Sequence, residues 1–223
     1  MKRIIKWLVW SVLISVQIQA QVTSQWRGDN RTGVFNEKDL LEEWPENGPE
    51  LIWSVDGIGE GYSSASVTDE LIVLTGLIDT IEYVTALDLD GNQLWQTEFG
   101  PGWITSFEAS RSTPTVVHDL IYVIGGQGHI ACLNSKTGDI VWKLEAYKKF
   151  EGEWDIWGVA ESPLYHDGHI YITSGYNHVG VMLKLNEDIL MAFDISDPPS
   201  QSDNLQTKIN LQSKKLPVNQ HEK

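Results

Sequence analysis

Cysteine is almost missing from this chain. Cys132 is the one thiol in 223 residues, so no internal disulfide can staple the fold and a packed core must hold it. Its setting in HIACLN, between apolar neighbours, reads as a buried small hydrophobe. Positive charge is scarce as well: 16 lysines and arginines face 31 aspartates and glutamates, a formal net charge of -15. Outside the first residues no basic run offers a stripe to a phosphate backbone, so nucleic acid is excluded as a partner. Long apolar runs are absent; the longest, WLVWSVLISV at 7–16, is too short to span a bilayer. Helical periodicity is absent too, and DLLEEW at 39–44 reads as a short turn or a single helical turn.

That one apolar run follows Lys2, Arg3 and Lys6 and ends in QIQA, the composition of a secretory signal with Ala20 before the cleavage point. Residues 1–20 are therefore read as a signal peptide, and no cysteine follows to carry a lipid. The expectation is a periplasmic or secreted protein with no membrane span after signal removal.

What the rest of the chain holds is short β-branched runs. ELIWSV at 50–55, ELIVLTG at 70–76, YVTALDL at 83–89, QLWQTEF at 93–99, LIYVIG at 120–125, HIACLN at 129–134, DIVWKLE at 139–145 and HIYITSG at 169–175 all read as strands. Pairs such as Asp90-Gly91, Gly125-Gly126, Gly138-Asp139 and Asp167-Gly168 separate them and favour hairpins. The runs recur. Asp69, His118 and Asp167 stand at intervals of 49, preceded in register by Ser64, Thr113 and Ser162 and by Ala65, Pro114 and Pro163. Gly91 and Gly138 each stand four residues before Trp95 and Trp142, and Trp53 holds the same place at the end of an incomplete unit.

A period of 45 to 50 residues with about four strands is the signature of a propeller blade. The expected fold is all-β, a partial β-propeller of about three to four four-stranded antiparallel blades over residues 21–196, followed by a polar tail at 197–223. Gly91 and Gly138 are expected to close hairpins, Asp88 and Asn134 to cap them, and Trp53, Trp95 and Trp142 to pack as plates between adjacent blades. The third unit departs from the pattern: a long stretch after Gly175 leads to MAFDIS at 191–196, which resembles TALDL but lacks the following glycine hairpin and tryptophan. About three and a half units are fewer than a closed ring needs, so the chain is expected either to be truncated or to close against a second copy or another subunit.

TALDLDGNQLW, ACLNSKTGDIVW and SRSTPTVVHDLIYVIGGQGHIACLN together resemble the pyrroloquinoline-quinone-like β-propeller repeat family, and most of all its secreted bacterial quinoprotein-like and outer-membrane-assembly-like members. QWRGDNRTG at 25–33, WGVAESPLYHDGHIYITSG at 157–175 and VMLKL at 181–185 look like the corresponding stretches of that group. The resemblance implies four-stranded blades around an axis, with some relatives binding the quinone and calcium to oxidise alcohols or sugars and others acting as noncatalytic scaffolds. The dehydrogenase branch stacks a vicinal disulfide on its quinone, which one cysteine cannot form.

The most function-like segment is EAYKKFEGEWDIWGVAESP at 145–163, where Trp154 and Trp157 flank Asp155 on a long connection. Rim aromatics can stack on a sugar or planar ligand, or cover the end of the arc. Blade register also pairs Glu108 and Arg111 in SFEASRSTP with Trp157 and Glu161 in WGVAESP, as a salt-linked ring or a polar pocket near the axis. A Ser112, His118, Asp119 triad is rejected because strand neighbours point to opposite faces. Zinc at His166, His169 and His178 lacks a fourth ligand. The expected function is an exported noncatalytic binding or assembly scaffold, without cofactor, for a protein or saccharide partner. The alternatives are a quinone- and calcium-dependent alcohol or sugar dehydrogenase, or a remnant of one, and a carbohydrate-binding module.

Overall fold

The computed structural model describes residues 23–28, 31–166, 168–173, 179–184 and 189–194. The expected signal peptide, the expected polar tail and His178 lie outside these residues. Among the described residues thirteen strands and one short helix follow in chain order. The first blade is β2 (Ser66–Val67), β3 (Ile72–Ile78), β4 (Ile81–Leu87) and β5 (Gln93–Pro101); the second is β6 (Thr115–Val117), β7 (Leu120–Ile124), β8 (His129–Asn134) and β9 (Ile140–Glu145). The third is β10 (Leu164–His166), β11 (His169–Thr173), β12 (Val179–Lys184) and β13 (Ile189–Asp194), and α1 (Ala146–Lys149) follows β9. Each blade is an antiparallel meander, and β1 (Thr23–Ser24) adds a fifth strand to the inner edge of the second blade, against β6.

Two apolar seams hold the blades face to face. Val73, Val84 and Phe99 of the first blade meet Val116, Ile121, Val123, Ala131 and Leu133 of the second. The alternate residues of the second blade, Tyr122, Ile124, Ile130 and Cys132, face Ile170 and Ile172 of the third. Both faces of the middle blade are thus covered, which is why LIYVI and HIACLN are continuous apolar runs rather than alternating ones. At the inner strands the recurring hydroxyl residues stitch blade to blade. Ser64 N–H donates to Thr113 Oγ1 (3.0 Å) and Thr113 N–H to Ser162 Oγ (2.9 Å), while Thr115 Oγ1 donates to the Pro163 carbonyl (2.6 Å) and Ser66 Oγ to that of Pro114.

The glycine turns bear on the same seams. Gly91 (φ 85°) and Gly138 (φ 75°) adopt the left-handed conformation, and a Cβ on them would sit 2.8 Å from the Trp53 ring and 2.6 Å from the Trp95 ring. Each indole therefore lies on the glycine of the following blade, and Trp95 also donates its N–H to the Ser135 carbonyl (3.0 Å). Trp142 is buried against Tyr122 in the second seam. The carboxylate of Asp88 accepts from the Asp90 and Asn92 amides, and Asn134 Oδ1 from those of Lys136 and Thr137.

Two readings of the sequence are corrected. Residues 50–55 form no strand: Trp53 docks on Gly91, but Leu51 and Ile52 are 77% and 88% exposed, because an outer strand is completed only by a third strand of its own blade. The second concerns the region beyond Gly175, where the strand list above has no member before MAFDIS: Val179–Lys184 is the third strand of the third blade and Ile189–Asp194 its fourth. Residues 39–44 show only bends. Among the described residues no helix is long and apolar enough to cross a membrane.

Candidate functional site

One end of the arc carries two long connections between blades. The β5–β6 loop (102–114), the β9–β10 loop (146–163) and the turns at 79–80 and 125–128 lie there together, tied by Gly102 N–H to the Thr80 carbonyl (2.8 Å), Tyr147 N–H to Gly128 (3.2 Å) and Val159 N–H to Gly126 (2.9 Å). Trp103 anchors the first loop under the second. It is buried, donates its indole N–H to the Ile156 carbonyl (3.2 Å), and packs where Gly126 and Gly158 leave no Cβ in its way.

Above that anchor the two loops present an apolar surface. Phe107 and Trp157 stack with centroids 5.2 Å apart at 28°, and Trp157 is half exposed, as is Trp154, whose other side meets Trp103 edge-on and Tyr147. Ile104 and Ile156 are exposed beside them. Arg111 holds this arrangement from below, its guanidinium donating to the carbonyls of Trp157 (2.6 Å), Ser106 (2.7 Å) and Phe107. Asp155 turns the loop locally, its carboxylate accepting from the Ile156 amide (2.7 Å) and its carbonyl from that of Gly158 (3.0 Å).

Nearer the axis, a cavity of about 400 Å³ is lined by Trp26, Arg31, Tyr62, Arg111 and Glu161 among others. Arg111 and Glu161 share this cavity without pairing. Glu161 instead receives the Thr173 amide (2.9 and 3.0 Å) and hydroxyl (2.8 Å), while burial pushes its carboxyl up and the Arg31 charge pulls the other way. Arg31 and Arg27 both lie over the Trp26 ring, at 5.3 and 4.8 Å. Glu108 is exposed and outside the cavity lining. The structure thus brings Trp154, Asp155, Trp157 and Arg111 to one face and Arg111 and Glu161 to one cavity.

Sequence reasoning passed over Phe107, Trp103, Trp26 and a buried couple, Glu82 with His129. The signal for the couple was a pair of glycines: a Cβ at Gly100, near the end of β5, would overlap the His129 ring of the next blade, and one at Gly125 would overlap that ring and the Glu82 carboxylate of the blade before.

Fold and loop layout define the class: a partial propeller of the pyrroloquinoline-quinone-like kind, three four-stranded blades around an axis. The chain belongs to the family described as outer membrane protein assembly factor BamB, whose model matches residues 80–197. Comparison with functionally curated proteins returns no match. Among solved structures it is similar to a europium-containing methanol dehydrogenase (16% identity, TM-score 0.50, covering 65% of this chain and 27% of that one). It is likewise similar to the quinohemoprotein alcohol dehydrogenase of Comamonas testosteroni (17%, 0.50, 65% and 23%). A BamB from Moraxella catarrhalis aligns at 19% identity and TM-score 0.37, covering 62% and 44%. The chain thus spans about a quarter of the length of the two dehydrogenases, and the likeness is one of fold.

The quinone and calcium that this fold holds in some relatives do not fit the described residues. Cys132 is sealed in the seam between the second and third blades, its thiol pushed up to about 12 by burial, and cannot stack on a ligand. Among the described residues no three His, Cys, Asp or Glu side chains converge on one point.

Proposed function

We propose that this chain is an exported, noncatalytic binding or assembly scaffold whose contact surface is the loop end of the arc. The observation that carries the reading is the exposed Phe107–Trp157 stack with Ile104, Ile156 and Trp154 around it. Apolar side chains gathered on loops and braced by a buried anchor are what a contact surface requires. The family description supplies the kind of partner, a component of outer-membrane protein assembly, and with it a periplasmic setting. A photo-reactive residue in place of Ile156 tests this: it should cross-link to an assembly component in the cell envelope, and Trp157→Ala should reduce the yield at least tenfold. Undiminished cross-linking in Trp157→Ala overturns this surface as the contact.

The structural likenesses lean to a second reading, a quinone-dependent dehydrogenase or part of one, since two solved structures matched at TM-score 0.50 are dehydrogenases. It requires ligands from residues beyond the described ones. Stoichiometric uptake of pyrroloquinoline quinone with calcium, together with reduction of an artificial acceptor by the purified chain, establishes it; no uptake removes it. Saccharide binding, the remaining alternative, predicts tryptophan emission quenched by sugars and restored in Trp157→Ala.

A further inference from the structure

The inner strands of the three blades stand in register at intervals of 49, so Val67 of β2, Val116 of β6 and Tyr165 of β10 hold one place in three blades. Backbone groups of successive residues in a strand point to opposite edges. Thr68 N–H donates to the Leu71 carbonyl (2.8 Å) inside the first blade, so the amide and carbonyl of Val67 point the other way, to the inner edge. In the second blade that edge is filled, because Val116 pairs with Ser24 of β1. In the third, the Tyr165 amide donates to the side-chain carbonyl of Gln25 (3.2 Å). In the first, Val67 has no partner on this side among the described residues, and it is 56% exposed.

The position two residues earlier differs in the same sense. The second and third blades carry Pro114 and Pro163 there, which have no N–H to offer, whereas the first carries Ala65, which keeps its donor. Proline on an edge blocks the addition of another strand, and the first blade lacks that guard.

The open edge faces space. Ala65 and Val67 line a cavity of about 1110 Å³, and most of the remaining lining comes from the N-terminal segment, including Trp26, Val34 and Phe35. This exceeds the roughly 300–1,000 Å³ of a small-molecule site. The three apolar side chains are exposed, and the Phe35 ring lies on Gly28, where a Cβ would sit 2.8 Å from it. Arg27 and Glu37, the two charged residues of the lining, are opposite in sign, so the cavity suits backbone and apolar groups better than an ion.

We propose that the inner edge of the first blade binds an extended segment of another polypeptide, added antiparallel to β2 as β1 is added to β6. Val67 holds the backbone of the segment, which gives affinity without fixing its sequence. Trp26, Val34 and Phe35 take the apolar side chains on one of its faces, so the preferred segment alternates apolar and polar residues. This contact shares no residue with the aromatic loop face and does not depend on it.

The probe is a peptide of about ten residues, valine alternating with threonine between terminal lysines, beside the same peptide N-methylated at every central amide. The second keeps charge and side chains and loses the donors of a strand. With the purified chain at about 0.15 M salt, the alternating peptide should bind and slow amide exchange at Val67 at least about tenfold, leaving Val116 unchanged. The N-methylated peptide should do neither. Ala65→Pro gives this edge the residue that the other two blades carry, so the variant should fold and should bind about tenfold more weakly. No binding up to about 1 mM, binding that leaves Val67 exchange unchanged, or undiminished binding by the folded variant overturns the proposal. Slowed exchange at Val67 that grows with protein concentration in the absence of peptide assigns the edge to a second copy and also overturns it. If Ala65→Pro does not fold, the comparison of the two peptides decides. Cross-linking at Ile156 and exchange at Val67 report different surfaces, so the failure of either leaves the other standing.

Discussion

Gly138 is asked for two things at once: a left-handed backbone angle, and an empty face for the Trp95 ring from the blade before. Gly168 is asked only for the angle (φ 74°), with nothing near its missing Cβ. Gly168→Ala should therefore cost about 1 kcal/mol, the conformational term alone, and Gly138→Ala about 2–4 kcal/mol because the indole must also move. Urea denaturation of the two variants checks the difference. The buried couple gives a second prediction at this scale. Glu82 is raised above its ordinary 4.5 to about 7, so its contribution favours the folded state below pH 4.5 and is lost as pH rises through 7. His129 is lowered from 6.5 to about 4, so its penalty operates at low pH and disappears as pH rises to 6.5. The two slopes oppose each other between 4.5 and 6.5 and flatten the wild-type profile there. Glu82→Gln leaves the histidine slope alone, so the variant should gain on the wild type by up to about 3 kcal/mol between pH 4.5 and 7.5. Stability measured across that range without any relative gain would contradict it.

At the scale of elements, the outer strands were legible and the inner ones were not. β3 to β5 and β7 to β9 are long enough for apolar patterning, with glycine turns after β4, β7 and β8, so their positions follow from local chemistry. β2, β6 and β10 have two or three residues each, too few to show a period, and are held by hydrogen bonds to the next blade rather than by their own pattern. Residues 50–55 show the opposite case: the apolar pattern is there, but pairing depends on a distant strand. The stretch 179–184 was missed because its blade lacks the glycine and tryptophan landmarks of the other two. Of the candidate face, the tryptophans of the long loop could be read directly. Blade register set Arg111 beside Trp157, and the two are hydrogen-bonded; the Phe107 stack on that ring could not be read, since it depends on two loops 50 residues apart meeting at one end. Thr113 and Thr115 carry the prediction here. Thr113→Val removes the acceptor for Ser64 N–H, and Thr115→Val removes the donor to Pro163, so each should cost about 1–2 kcal/mol in thermal denaturation. The double variant should approach the sum only if the two seams are independent.

For the whole molecule, the decisive contrast is between the middle blade and the edges of the arc. The middle blade buries both faces, whereas among the described residues the outward face of the first blade is covered by the extended segment 53–60, through Trp53 on Gly91 and the pairing of Glu60 with Leu77. That segment continues into Leu51 and Ile52, which are exposed, as are Trp44, Leu41 and Leu40 before them. So much apolar surface beside an unpaired backbone favours association, and the net charge of -15 opposes it. The two effects respond differently to salt: like-charge repulsion is screened over about 10 Å at about 0.1 M, while the apolar term is not. Sedimentation of the purified chain should therefore show concentration-dependent association that strengthens between about 0.02 M and about 0.3 M salt. Ile52→Lys places a cation in the apolar contact while making the net charge less negative. If charge repulsion alone set the assembly state, the variant would associate more; if the apolar segment is the contact, it should associate less, and that is the outcome expected.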